Sequence, residues 1–222
     1  RVSDAGFQPY IIDFHSAEDS NTPIGSATIT DNLDEVNSAI TYVTNKHNKT
    51  PFSLGLCQGG WSTAMALSSN PESLQGLGVI AAPIDCHAGP YTNLRKLSDE
   101  LPVEYFQMIV DKNGGLMRGR DMINAFKSLN ETPNAKLGEY FNVLENLDNE
   151  KFIERRHAHI SWFEYSPNNI SGKAYVEICD KLFKNNNFYN GEFEYHGKKL
   201  SLEDITLSLI HISEPTLSLI HI

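Results

Sequence analysis

The stretch Gly55-Leu56-Cys57-Gln58-Gly59-Gly60 sets a thiol among small residues. A thiolate attacks carbonyl carbon well, so a cysteine in such a setting suits covalent acyl transfer through an acyl-cysteine intermediate. That chemistry needs the nucleophile on a tight strand-to-helix turn, where its backbone is held in a strained conformation. Gly55 would avoid a side-chain clash inside the turn, Gly59 would do the same on the helix side, and Gly60 would let the helix start close to the sheet. The Gln58 backbone N–H would then face the reacting carbonyl as an oxyanion donor. The helix N-terminus would help lower the thiol pKa. The competing reading is a buried cysteine in a glycine-rich loop, since free cysteines are usually core residues. An apolar run before the glycines and a small-residue helical pattern after them favour the turn.

Other residues invite chemistry less strongly. Asp13 and His15 follow a strand-like run and have the types of an acid–base pair, but a polar strand exit accounts for them more simply. Asp85, Cys86 and His87 sit at another strand exit, and Asp85 and His87 could line a pocket mouth. His157 and His159 alternate without cysteine or carboxylate at ligand spacing, so no metal site is expected. Arg118, Arg120, Arg155 and Arg156 could meet phosphates of a ligand, although a solvated surface explains them as well. Trp61, Trp162, Phe163 and Tyr165 read as packing residues rather than a binding box. No phosphate-binding glycine loop or dinucleotide fingerprint occurs, so no cofactor is expected.

The elements that must hold Cys57 follow from hydrophobic patterning. Residues 8–16 contain a β-rich apolar run, an expected buried strand. Ile29, Leu33, Val36, Ile40 and Val43 draw one helical face, with Thr30 or Asp31 as cap and Asp34 in the first turn. Residues 51–57 form the next strand, 59–71 a helix stopped near Pro71, and 74–85 a third strand. This alternation predicts a parallel sheet in a three-layer α/β fold. Residues 92–187 carry helical patterns and no convincing strand, notably 121–129, 136–147 and 174–186; 191–201 reads as a hairpin turning at His196-Gly197. The 222 residues carry a formal charge of −10, against nucleic-acid binding. No apolar run is long enough to span a membrane. Three cysteines make no disulfide framework, and a cytoplasmic setting is expected.

The motif Gly55-Leu-Cys57-Gln-Gly59-Gly60 resembles the G-x-C-x-G-G box of polyhydroxyalkanoate synthases and their synthase-like relatives. The runs 6–14, 79–91, 113–130 and 178–206 resemble further stretches of that family in the same order. The resemblance implies an α/β-hydrolase fold: a partial core over 1–91, a helical cap over 92–190, and a lead-in to later core strands over 191–205. It implies Cys57 as nucleophile toward a 3-hydroxyacyl-coenzyme A thioester, with an aspartate and a histidine delivered by later strands. Neither can be placed here, because the likeness stops near Thr206, so the 222-residue chain by itself is expected to be inactive. Possible partners are a polymer granule surface, a second copy, or a partner subunit. A thioesterase or depolymerase using water as acceptor, or a catalytically silent binding protein, would use the same scaffold.

The sequence TLSLIHI stands at 206–212 and again at 216–222. A perfect seven-residue repeat at that spacing fits no common repeat architecture. Residues 206–222 therefore read as extraneous sequence that should stay poorly packed. Resequencing the coding DNA past Thr206 is expected to give a different continuation; the same repeat recovered from an independent clone would establish the tail as native.

Overall fold

A computed structural model describes residues 3–14, 16–18, 23–89, 93–130, 133–165, 167–207 and 209–212. In chain order it contains α1 (Ile29–His47), β1 (Phe52–Leu56), α2 (Gln58–Ser69) and β2 (Gly76–Ile80). A helical region follows: α3 (Asn93–Glu100), α4 (Val103–Lys112), β3 (Leu116–Met117), α5 (Gly119–Asn130), α6 (Pro133–Glu145) and α7 (Glu150–Ile160). Then come β4 (Ile170–Ser171), α8 (Gly172–Glu177) with a π-helical continuation over Ile178–Lys184, β5 (Phe193–Tyr195), β6 (Lys198–Leu200) and β7 (Leu209–Ile212).

The core is an α/β unit. β1 and β2 run parallel in the register Phe52 to Gly76 through Leu56 to Ile80, joined by the α2 crossover. Helix α1 buries Ile29, Leu33, Val36 and Ile40, as the spacing requires. Its cap is Thr28 rather than Thr30 or Asp31. The Thr28 hydroxyl oxygen accepts from the Asp31 N–H, and the Asp31 carboxylate accepts from the Thr28 N–H, a reciprocal box that closes the first turn. Helix α2 is buried almost all round from Gly60 to Ser68. It sits between the sheet and α1, which is why its small residues carry no single apolar stripe.

Residues 8–14 do not form the expected strand. They are irregular and exposed, with Ile11 at 91%. A strand exists only through a ladder partner, and no described strand lies beside this run. The three-layer expectation is met on one face only among the described residues. Phe52, Leu54 and Leu56 alternate along β1 and stay 60–66% exposed, so the face they line is open. Parallel sheets are normally covered on both faces.

Of the tail, residues 206, 207 and 209–212 are among those described. The backbone of Leu209–Ile212 pairs in parallel with β2, Leu77 opposite Leu209 and Ile80 opposite Ile212, giving the order β1-β2-β7. A short β-prone run can satisfy an open strand edge through its main chain alone. Residues 213–222 lie outside the described residues.

The helical region contains one short antiparallel pair, β3 with β4, that patterning missed because two residues show no period. Exposed apolar side chains on α6 include Leu137, Tyr140, Phe141 and Leu144. The Glu177 carboxylate on α8 accepts from the Ile29 N–H at 2.9 Å and pairs with Lys181 at 2.8 Å, joining this region to the start of α1. The hairpin turns where expected: His196 and Gly197 take φ of 47° and 79°, the positive pair that a two-residue turn demands. Tyr195 donates to Asp34 at 2.6 Å, and His196 Nε2 lies 2.8 Å from the same oxygen. Burial alone would raise the Asp34 carboxyl, but these hydrogen bonds and the His196 charge outweigh it and hold it below its ordinary value.

The hairpin is also locked to α2 by Ser68, which is fully buried; its hydroxyl donates to the Ser201 carbonyl at 2.9 Å and accepts from the Ser201 N–H at 2.9 Å. Ser68→Ala strips both partners at once, and it is expected to lower unfolding free energy by about 1–3 kcal/mol. Urea denaturation checks this; a loss within error of zero would mean that solvent reaches Ser201.

Candidate functional site

Cys57 stands between the last residue of β1 and the first of α2, with φ 52° and ψ −117°. This is a sparsely populated conformation for a residue with a side chain, costing about 1–3 kcal/mol. Packing on both sides enforces it. The Cys57 N–H donates to the Ile80 carbonyl at 2.9 Å, and the Cys57 carbonyl accepts from the Gly60 N–H at 2.9 Å. A Cβ on Gly55 would lie 2.5 Å from Gly59 O and Gly60 Cα. A Cβ on Gly60 would lie 2.4 Å from the Ala82 Cβ and 3.0 Å from Val79 Cγ1. Both glycines are therefore required by close backbone approach. Gly59 is different: a Cβ there meets nothing within 4 Å, so its expected steric role is not supported. The turn is tight on the strand side and at Gly60, while Gly59 faces open space.

The thiol itself is exposed, whereas Cys86 is half-buried and Cys179 buried. Burial, with the neighbouring Asp85 charge, pushes the Cys86 thiol up to about 12; burial likewise lifts Cys179 to about 12. Both stay protonated near neutral pH. Gln58 opens α2, so its N–H is among the helix's first four donors that have no partner within the helix.

The other candidates are described by their own partners. Asp85 Oδ1 accepts from the His87 N–H at 2.9 Å and from Asn186 Nδ2 at 2.7 Å. His87 turns its Nε2 onto the carbonyls of Phe183 and Lys184 at 3.2 and 3.1 Å, so that nitrogen serves as a backbone donor. Asp13 is exposed, and His15 lies outside the described residues. Arg156 pairs with Glu139 at 2.8 Å, while Arg118, Arg120 and Arg155 are exposed. His159 stacks on Phe163 with ring centroids 5.5 Å apart. Trp61 is core, as expected, but Trp162 and Tyr165 are 67% and 73% exposed and do not pack as expected, because they sit on a π-helical turn (Ser161–Tyr165) with no buried residue. A polar cleft of ≈ 320 Å³, lined by residues such as Asn37, Ser69, Tyr195 and His196, lies at the opposite end of α2 from Cys57 and holds none of these residues. Patterning missed Asn186, whose left-handed φ of 54° and near-complete burial have no signal in the sequence.

Fold and geometry thus define an α/β protein with an exposed cysteine on a strained strand-to-helix turn. Over 96% of its length the chain is 24% identical to the poly(3-hydroxyalkanoate) polymerase subunit PhaC of Haloarcula marismortui. It is 23% identical over 93% of its length to the PhaC subunit of Thiocystis violacea, and 26% identical over 72% to that of Allochromatium vinosum. The chain spans 43%, 56% and 43% of those relatives, about half their length. No family model matches the chain. The resemblance to polyhydroxyalkanoate synthases read from the motifs is the one these relatives carry. No helix of the described residues is long and apolar enough to cross a membrane.

In native protein at pH 7–8, iodoacetamide is expected to label Cys57 well ahead of Cys86 and Cys179, as peptide mapping would show. Equal labelling of all three would contradict the exposed turn. Gly60→Ala is expected to cost about 1–3 kcal/mol through overlap with Ala82. Gly59→Ala should be neutral or gain up to about 1 kcal/mol. Paired denaturation curves check the contrast.

Proposed function

We propose that the full-length protein is a cysteine-dependent acyltransferase that polymerises 3-hydroxyacyl-coenzyme A thioesters. The observation that carries this reading is Cys57: exposed, at φ 52° and ψ −117°, on the turn from β1 into α2. That the relatives are poly(3-hydroxyalkanoate) polymerase subunits supports the substrate class. The reading places the turn in an α/β-hydrolase sandwich whose remaining strands lie outside the 222 residues; the open face of β1 is consistent with that.

In this mechanism the Cys57 thiolate attacks the thioester carbonyl. The electron pair of the C=O bond moves onto oxygen, and the Gln58 N–H donates a hydrogen bond to this oxyanion. The tetrahedral intermediate collapses, the bond to the coenzyme A sulfur breaks, and the leaving thiolate takes the proton that the base drew from Cys57. The acyl group is now held on Cys57 Sγ. The hydroxyl oxygen of the acceptor attacks this thioester, its proton passes to a base, the new ester bond forms, and Cys57 leaves as thiolate. The base and the carboxylate that orients it are assigned to sequence beyond Thr206 in the full-length protein.

The test is coenzyme A release and polymer formation from 3-hydroxybutyryl-coenzyme A by the full-length protein. Cys57→Ala is expected to lower turnover by about 10⁴-fold or more, with a far-ultraviolet circular dichroism spectrum like that of the wild type. Cys57→Ser should also be severely impaired, since a hydroxyl is harder to deprotonate. Turnover that survives Cys57→Ala would overturn the reading, and free hydroxy acid in place of polymer would reassign the acceptor to water.

A further inference from the structure

We propose that Asn186 is a positioning residue: its carboxamide clasps the chain where it leaves the core after β2 to the chain where it returns after the π-helical turn, and so steadies the wall of the Cys57 turn. The kinetic part of this proposal rests on the acyltransferase reading above; the structural part does not.

Ile80 and Ala82 form one side of the Cys57 turn, and the chain runs on from them through Asp85 to His87. Ile80 O holds the Cys57 N–H, and Ala82 lies against Gly60. Between them Ala81 takes φ 48°, a left-handed conformation that a residue with a Cβ adopts only when its surroundings impose it. Among the described residues, 81–89 have no helix or strand of their own to hold them. Side chains from 100 residues further on supply the hold. Asn186 Oδ1 accepts from the Cys86 N–H at 3.1 Å, and its Nδ2 donates to Asp85 Oδ1 at 2.7 Å. One planar amide thus satisfies a backbone donor and a carboxylate on adjacent residues. A carboxylate can only accept, which fixes which end of the amide faces it. His87 reinforces the crossing through Phe183 O and Lys184 O, and the Arg95 guanidinium donates to His87 O at 2.6 Å.

Asn186 is built to bear this role. It is 4% exposed, so its bonds are shielded from water. Its φ of 54° suits asparagine better than most residues. The next residue is tied to the core hairpin: Asn187 O accepts from the Glu192 and Phe193 N–H groups at 2.7 and 3.1 Å, and Phe193 is 1% exposed. The clasp therefore transmits the rigidity of the hairpin to segment 85–87, and through Ala82 and Ile80 to Cys57.

Amide hydrogen exchange on the full-length protein tests the structural part. Asn186→Ala is expected to speed exchange at Cys86, His87 and Cys57 on the order of tenfold, the scale of one net hydrogen bond, with α1 amides unchanged. Coenzyme A release tests the kinetic part: kcat should fall about 10- to 100-fold with KM nearly constant, as for a misplaced reacting group. Asp85→Ala, which removes the partner of Asn186 Nδ2 but leaves the Cys86 N–H bonded to Asn186 Oδ1, should show a smaller loss in both and carries the test if the Asn186→Ala variant does not fold. Unchanged exchange at Cys57, or a rise in KM with kcat intact, would overturn the proposal. Absence of coenzyme A release in the wild type would sink the acyltransferase reading instead, and exchange would still decide the clasp.

Discussion

The close approach of α2 to the strands at Gly55 and Gly60 governs this structure. A helix that starts immediately after a strand must reverse direction within about one residue, and the main chains then come nearer than any Cβ allows. A Cβ on Gly55 would lie 2.5 Å from main-chain atoms of Gly59 and Gly60, and one on Gly60 would lie 2.4 Å from the Ala82 side chain. Cys57, between the two glycines, absorbs the reversal in its own backbone and is driven to φ 52°. Strain of about 1–3 kcal/mol persists because the Cys57 N–H and C=O are both hydrogen-bonded and the burial of α2 outweighs it.

Exposure of the thiol follows from the same constraint. The turn projects Cys57 outward, while Cys86 and Cys179 fold into surroundings where burial holds their protons. Three cysteines of one chain are thereby sorted by backbone geometry and solvent access.

The helical region is attached through polar side chains where it leaves and rejoins the core. Asp85, His87 and Asn186 bind one crossing, and Glu177 on the Ile29 N–H binds α8 to the start of α1. Apolar contact is thinner in α6, where Leu137, Tyr140, Phe141 and Leu144 remain exposed. Such a region owes its placement to a few directional bonds as much as to its own core.

By itself the sequence determined the elements whose signal is local. The α1 face, the β1-α2-β2 alternation, the His196-Gly197 turn and the need for glycine at Gly55 and Gly60 were legible, because period and small-residue spacing act within a few residues. The resemblance carried by the Gly55–Gly60 box and the ordered runs after it was legible for the same reason. Only tertiary structure decided the rest. Residues 8–14 carry a strand's composition and form none, since pairing needs a partner that composition does not provide. Leu209–Ile212, set aside as extraneous, lines up on β2 because an open edge accepts β-prone backbone with little regard to side chains. Gly59 and Gly60 look equivalent in the motif, yet Ala82 crowds only one of them. Asn186 was invisible because its partners lie 100 residues away, and a buried amide shows its purpose only when the chain brings Asp85 and Cys86 to it.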